Sequence, residues 1–259
     1  MDLRGSIAVV TGASSGIGDA VARRLAADGA TVVAVARRGE RLEALAASQP
    51  GVVAHVADVG RRTEVMALAE RVRDEFGRCH LLVNNAGVGG GPFTGPESLD
   101  GFVHTMQVNV LGAAHCCAAL HDVLVAGAPS QVINVASVSG KVGVGPADYV
   151  ASKFALVGLS EALSLSWAAD GITVSQLNPG FVATEGFPQT RLLRSPFGRL
   201  VGRPAAVAAA VADLVARPRR ERPVPRWYRA VVALRHLAPP LFWAAAARTG
   251  RARGTRDAT

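Results

Sequence analysis

Tyr149 and Lys153 stand four residues apart in the run Ala147-Asp148-Tyr149-Val150-Ala151-Ser152-Lys153. The residues that follow, through Trp167, are mostly Ala, Leu, Val and Ser with an apolar stripe, which predicts a long helix. Positions four apart share a helix face, so an ammonium lies beside a phenol. A tyrosine near its ordinary pKa of about 10 is protonated at neutral pH, and a neighbouring cation favours the phenolate. Tyr149 is therefore a candidate acid/base whose pKa Lys153 would lower. The same spacing also suits an ordinary surface pair, and the surroundings have to decide.

The elements that would position this pair begin with a buried strand at residues 6–10. It is followed by Thr11-Gly12-Ala13-Ser14-Ser15-Gly16-Ile17-Gly18 and a helical run from Asp19 to Asp28. A strand, a glycine turn and a helix expose bare backbone N–H groups and a helix N-terminus to a phosphate. The second strand, Thr31 to Ala36, ends in Ala36-Arg37-Arg38. A dinucleotide site that prefers NAD places an acid here to hold the ribose 2′-OH, and this chain has none. Two guanidiniums suit a 2′-phosphate, which points to NADP; a solvated basic helix start is the plainer alternative.

The alternation continues with strand 52–56, helix 61–76, strand 80–84, helix 99–125, strand 131–136, helix 148–168, strand 172–177 and helix 204–216. Strands separated by helices of this length imply right-handed crossovers and an α/β fold with a parallel sheet covered on both faces. Ligands of such sheets bind beyond the carboxyl ends of the strands. Asp58, Asn84-Asn85-Ala86-Gly87, Ser137 and Asn178-Pro179-Gly180 all fall there.

Composition bounds the rest. A chain of 259 residues with 49% hydrophobic and 19% charged residues suits one large folded domain and argues against disorder. The formal net charge of +8 is uneven: residues 1–216 carry 17 Lys+Arg and 18 Asp+Glu, residues 217–259 carry 11 Arg and 2 acids. A nearly neutral core makes a nucleic-acid binder a poor reading. Cys79, Cys116 and Cys117 lack a CxxC spacing and read as reduced structural thiols. The six histidines show no ligand spacing, so no metal site is expected. The N-terminus shows no apolar signal core, which leaves a cytoplasmic chain as the expectation.

Across roughly residues 5–216 the sequence resembles the short-chain dehydrogenase/reductase family. The matching motifs are Thr11-Gly12-x-x-x-Gly16-x-Gly18, Asp58-Val59, Asn84-Asn85-Ala86-Gly87, Asn109, Ser137, Tyr149-x-x-x-Lys153 and Pro179-Gly180 with Thr184. The resemblance implies a Rossmann-like, doubly wound domain over 1–216, a nicotinamide cofactor and hydride transfer between an alcohol and a carbonyl. It implies that Ser137 binds the substrate oxygen, that Tyr149 donates the proton, and that Lys153 holds nicotinamide ribose hydroxyls. Asn109 would hold a water linking Lys153 to solvent. Around the cofactor it implies Gly12, Gly16 and Gly18 as the turn, with Ser14, Ser15 and Ile17 at the pyrophosphate. Asp58 and Val59 would meet the adenine, and Asn85, Ala86 and Gly87 the adenosine ribose. Val182 and Thr184 would meet the carboxamide, and Arg37 with Arg38 the 2′-phosphate, the NADP preference resting on Arg37. A non-catalytic nucleotide-binding protein of the same fold is the alternative; loss of Tyr149, Lys153 or Ser137 would have favoured it, and all three are present. Dimers or tetramers through the helices at 99–125 and 148–168 are common in the family.

The substrate end is less specific. Residues 181–203 form a Pro-interrupted apolar segment (Phe181, Phe187, Pro188, Leu192, Leu193, Pro196, Phe197, Leu200) where the family has its substrate lid. With Val138, Val142 and Val144, it predicts an apolar pocket for a lipophilic ketone, aldehyde or secondary alcohol. Residues 217–259 form an extension. Pro223 and Pro225 limit any strand at 221–225 to a sheet edge. Residues 226–237 put Arg226, Arg229 and His236 on one face and leave an apolar flank. Pro239-Pro240 breaks the run, and Leu241-Phe242-Trp243 leads toward Arg248, Arg251, Arg253 and Arg256. This extension either packs on the domain or a sister subunit, or lies on an anionic membrane surface.

Overall fold

Short runs of valine and other apolar residues, bounded by turns, become seven strands: β1 (Ile7–Thr11), β2 (Thr31–Ala36), β3 (Val52–Val56), β4 (Leu81–Asn84), β5 (Ser130–Val135), β6 (Ile172–Pro179) and β7 (Glu221–Val224). The computed structural model, which describes residues 1–194 and 198–254, pairs them all in parallel in the order β3-β2-β1-β4-β5-β6-β7. Pro196 and Phe197 of the lid and Arg256 of the tail lie outside the described residues. The chain enters at the centre with β1, winds outward to β3 and returns beside β1 with β4. The β1/β4 boundary is thus the point where the winding reverses and a crevice opens beyond the strand ends.

The helices are α1 (Gly16–Ala27), α2 (Gly39–Ser48), α3 (Arg62–Phe76), α4 (Ser98–Met106), α5 (Gly112–Ala126), α6 (Ser139–Val142), α7 (Ala147–Ser166), α8 (Thr190–Leu193), α9 (Pro204–Ala216), α10 (Tyr228–Leu237) and α11 (Pro239–Gly254). Successive strand residues point to opposite faces. Ala8 and Val10 of β1 accordingly pack with Val21 and Leu25 of α1 and Val211 and Leu214 of α9. Val9 packs on the other face with Val65, Leu68 and Val72 of α3 and Leu120 and Leu124 of α5. The two clusters are the two sides of one doubly wound, Rossmann-like α/β domain.

Three regions sharpen the sequence expectations. The helix expected over 99–125 is interrupted by a π-helical turn at Gln107–Leu111, between α4 and α5. The run Ser98–Ala126 is long and apolar enough to cross a bilayer, but half of its most apolar stretch is buried within the fold. In the extension, β7 adds to the sheet edge with Pro223 opposite Asn178, where a missing N–H is tolerated. The sheet therefore continues past residue 216. Pro239-Pro240 breaks the run as expected, with a 116° bend, and the two prolines start α11, because the first turn of a helix needs no N–H partners.

Helix α7 is tied to the sheet by a buried polar ladder. Asn84 and Asn134 are paired neighbours on β4 and β5, and the Asn84 side-chain amide donates to Asn134 Oδ1 at 2.9 Å. Asn134 Nδ2 donates in turn to Ser160 Oγ of α7 at 2.9 Å, and that hydroxyl donates to Leu156 O at 2.6 Å. Removing the middle member strands buried donors and acceptors at both ends, each costing about 1–3 kcal/mol. Asn134→Ala should therefore lower unfolding free energy by about 2–4 kcal/mol in urea denaturation, more than one lost hydrogen bond accounts for.

Candidate active site

The glycine turn lies between β1 and α1 at the crevice. Gly12 and Gly16 have φ of +68° and +60°, a region costly for residues with a Cβ. A Cβ at Gly12 would also sit 2.8 Å from Ala86 Cα. At Gly18 a Cβ would overlap the Gly12 carbonyl oxygen, so this glycine lets α1 close onto the turn. Ser15, the N-cap of α1, makes no side-chain capping bond, which leaves the first amides of the helix available to an anion. Thr11 Oγ1 accepts from the Asn85 and Ala86 amides, each at 3.0 Å, and Asn85 Nδ2 donates to Thr11 O at 2.9 Å. The Asn85 side chain thus braces the turn, while its backbone lines the crevice.

Tyr149 sits on the first turn of α7 and Lys153 one turn later. The ammonium lies 5.6 Å from the centre of the Tyr149 ring and donates to Val135 O at 3.0 Å. Ser137, just past β5, faces the Tyr149 phenol closely enough to favour its ionised form, and the Ser137 hydroxyl donates to Pro179 O at 3.4 Å. Its hydroxyl also accepts from the Ser139 amide at 3.1 Å. The phenol pKa is raised, not lowered as the spacing leads one to expect. Burial pushes the Tyr149 pKa up, and the Ser137 hydroxyl opposes it. Lys153 is itself buried, which pulls its pKa from 10.5 down to about 8. The ammonium lies under the ring and faces a carbonyl rather than the hydroxyl.

Two side chains hold this arrangement from behind. Asn109, in the π-helical turn, accepts from the Val88 amide at 2.8 Å and donates to Val88 O at 3.1 Å and Ser152 Oγ at 3.0 Å. It fastens the Asn84–Gly87 loop to the middle of α7. Asp148 was not singled out from the sequence. It is buried, accepts from Thr105 Oγ1 at 3.1 Å, from the Gly91 amide at 3.2 Å and from the Tyr149 amide at 2.8 Å. An acid in the first turn of a helix, next to the candidate tyrosine, was the available signal.

One open groove of about 1120 Å³ joins these parts. It is lined by Gly12, Ser14, Ser15, Gly16, Ile17, Arg37, Arg38, Asp58, Val59, Asn85, Ala86, Gly87, Ser137, Tyr149, Lys153, Pro179, Gly180, Val182 and Thr184. Gly18 and Asn109 are not on its wall; they pack behind it. The two arginines part company: Arg37 leans to Asp58 at 3.9 Å, whereas Arg38 lies on Ser14 Oγ and Ser15 Oγ at 3.0 and 2.7 Å. A long groove with a glycine cradle, an uncapped helix N-terminus and guanidiniums at one end fits a dinucleotide. The opposite end is walled by the extension, since Tyr228, Val231 and Phe242 line the groove. Tyr228 and Phe242 cluster with Val138 and Val142, and a Cβ at Gly180 would overlap the Tyr228 ring. The extension thus packs on the domain with its inner face. The place of Tyr228 and Phe242 on the groove wall was not legible in the sequence, because their partners Val138 and Val142 lie 86 or more residues away.

The buried ammonium has a measurable consequence. Between about pH 8 and 10.5 the unfolded chain holds a proton on Lys153 that the folded chain has released. Stability relative to Lys153→Met should be level below pH 8 and rise through that window by on the order of 3 kcal/mol. Denaturation of both proteins between pH 7 and 10.5 measures it.

Comparison with known proteins agrees with this geometry. The family model described as short chain dehydrogenase matches residues 6–192. D-threitol dehydrogenase of Mycolicibacterium smegmatis is 37% identical over 188 residues, covering 71% of this chain and 72% of that protein. The 3-oxoacyl-[acyl-carrier-protein] reductase FabG of Escherichia coli is 33% identical over 229 residues, covering 83% and 91%. Among solved structures, a short-chain dehydrogenase/reductase from Burkholderia phymatum in complex with NAD superposes with a TM-score of 0.81 at 29% identity, covering 93% and 96%. A 3-ketoacyl-(acyl-carrier-protein) reductase from Brucella melitensis complexed with NADH gives 0.77 at 30% identity, covering 86% and 99%. This chain belongs to the short-chain dehydrogenase/reductase family and is an NAD(P)-dependent oxidoreductase acting on CH–OH groups.

Proposed function

We propose that the chain interconverts a carbonyl and an alcohol on a lipophilic small molecule, with NADP as the preferred cofactor and Tyr149 as the acid/base. The observation that carries this reading is that Ser137, Tyr149 and Lys153 line one groove together, between a guanidinium-lined end and an apolar end. The cofactor supplies or accepts the hydride. Ser137 holds the substrate oxygen, and Tyr149 delivers the proton to it in reduction and takes it in oxidation. Lys153 holds ribose hydroxyls and, through its charge, favours the phenolate once a second positive charge adjoins the ring. Asn109 anchors the relay water, through whatever hydrogen-bonding capacity Val88 and Ser152 leave it. At the adenosine end Arg38, rather than Arg37, is the better-placed partner for a 2′-phosphate.

The substrate class follows from the wall. Val142, Val144, Phe181, Phe187, Val231 and Phe242 surround the end beyond Tyr149, and a sugar phosphate would find no cation among them. Such a chain works in the cytoplasm and assembles as a dimer or tetramer. Exposed Leu111 near α5, with Phe154 and Leu165 of α7, supplies apolar surface for that contact. The outer face of α10 favours a membrane-surface contact as well. Leu234 and Leu237 point to solvent, Leu237 85% exposed, beside exposed Leu241 and Trp243 and flanking Arg226 and Arg229. An apolar stripe rimmed by arginines suits an anionic lipid interface, whereas two copies meeting there would oppose like charges.

Three measurements test these points. Tyr149→Phe should bind NADPH normally and lose about 10²–10⁴-fold in kcat on apolar ketones; turnover like the parent's would reject the mechanism. NADPH should support higher kcat/KM than NADH, and equal or better turnover with NADH removes the NADP assignment. Leu237→Asp with Leu241→Asp should abolish co-flotation with anionic vesicles while leaving the oligomer intact; undiminished flotation counts against the lipid contact.

A further inference from the structure

Glu185 lies near the start of the lid, and its carboxylate is divided between two guanidiniums. Arg38 Nη1 donates to Glu185 Oε1 at 2.9 Å, and Arg41 Nη1 donates to Oε2 at 2.5 Å. The same Arg38 lies on the hydroxyls of Ser14 and Ser15 at the glycine turn. Two guanidiniums converge on one anion, and two hydroxyls lie against the nearer guanidinium; these are groups a phosphate monoester takes. Arg41 and Arg38 hold the Glu185 carboxyl below the usual carboxylate range. Glu185 reaches this place because a tight turn presents it: Thr184 N bonds Phe187 O at 3.0 Å and Phe187 N bonds Thr184 O at 3.1 Å. At the other side of that turn the Phe187 ring packs 5.7 Å from the Tyr149 ring. Four residues of the lid therefore touch the arginines at one end of the groove and the acid/base at the other.

We propose that Glu185 competes with the cofactor's 2′-phosphate for Arg38 and Arg41, and so sets how strongly this chain prefers a phosphorylated cofactor. The inference rests on the NADP reading and adds two residues to it: Arg41 as a phosphate partner and Glu185 as its internal rival. A carboxylate carries one charge and a 2′-phosphate close to two, so the phosphate displaces Glu185. The contest is of modest size, because all three side chains are about half exposed and such pairs are weak. A cofactor without the phosphate leaves the Glu185 contacts in place. When the phosphate enters, the turn at 184–187 loses its tether and Phe187 is free to follow the substrate.

The test is equilibrium binding of 2′,5′-ADP and 5′-ADP by calorimetry, with the full chain and three variants. Glu185→Gln should tighten 2′,5′-ADP about 3–10-fold and leave 5′-ADP within twofold, whereas Arg41→Gln and Arg38→Gln should weaken only 2′,5′-ADP. If both arginine variants weaken 2′,5′-ADP but Glu185→Gln does not change it, the competition is refuted while the NADP assignment stands. If Glu185→Gln tightens both ligands equally, the residue acts as a general gate, and the competition is again refuted. If the parent binds 2′,5′-ADP no better than 5′-ADP and no variant separates them, the NADP reading fails and takes the inference with it.

Discussion

A lysine ammonium 4% exposed is the constraint around which this chain is arranged. Burying a charge without a counter-charge is costly, and Lys153 has one carbonyl, Val135 O, and the face of one ring to offset it. The fold supports that cost through rigidity. The Asn84, Asn134 and Ser160 ladder fixes α7 to the sheet from below, and Asp148 fixes its first turn to α4 and the loop at Gly91. Without both ties α7 could rotate, and the ammonium would find water. A pKa near 8 leaves the group mostly charged at neutral pH, with about one part in ten neutral. Anything that adds negative charge or hydroxyl acceptors above it restores the full cation, which links the state of Lys153 to what fills the groove.

The path from sequence to site was legible where chemistry and local periodicity coincide. The glycine turn, the strand ends and the Tyr149/Lys153 spacing are local signals, each contained within ten residues, and the groove unites them. Functions shared between distant residues were not legible. Gly18 looks like a cofactor ligand in a motif, yet it makes room for a carbonyl, and Asn85 lines the groove while its side chain braces the turn. Arg37 and Arg38 are adjacent and chemically identical, and only the backbone direction past β2 sends one to Asp58 and the other to the serines. The sign of the Tyr149 shift could not be read either, because spacing reports a neighbouring charge but not the burial that outweighs it. The π-helical turn at Gln107–Leu111 carries no propensity signal, since its residues are compatible with an ordinary helix; its role emerges from the Asn109 bonds it allows.

The extension adds wall to the groove beyond the part of the chain that the family model matches. The family model ends at residue 192, whereas Tyr228, Val231 and Phe242 contribute wall to the groove. Their seating depends on Gly180, which any side chain would turn against the Tyr228 ring, and on Val138 and Val142 just after Ser137. The segment that is expected to bind the substrate oxygen is therefore also the platform for the apolar wall, which under the proposed function would select the rest of the substrate. A change in the extension would be felt first by the shape of the apolar end, and only through Val138 by the Ser137 hydroxyl. Selectivity can then drift by substitutions at 228–242 while the buried lysine, its carbonyl and the ladder beneath it stay as they are, because none of those groups is within the Tyr228 and Phe242 cluster. On the proposed mechanism, the physical separation of a rigid polar floor from a replaceable apolar wall would let one arrangement of Ser137, Tyr149 and Lys153 accommodate different alcohols.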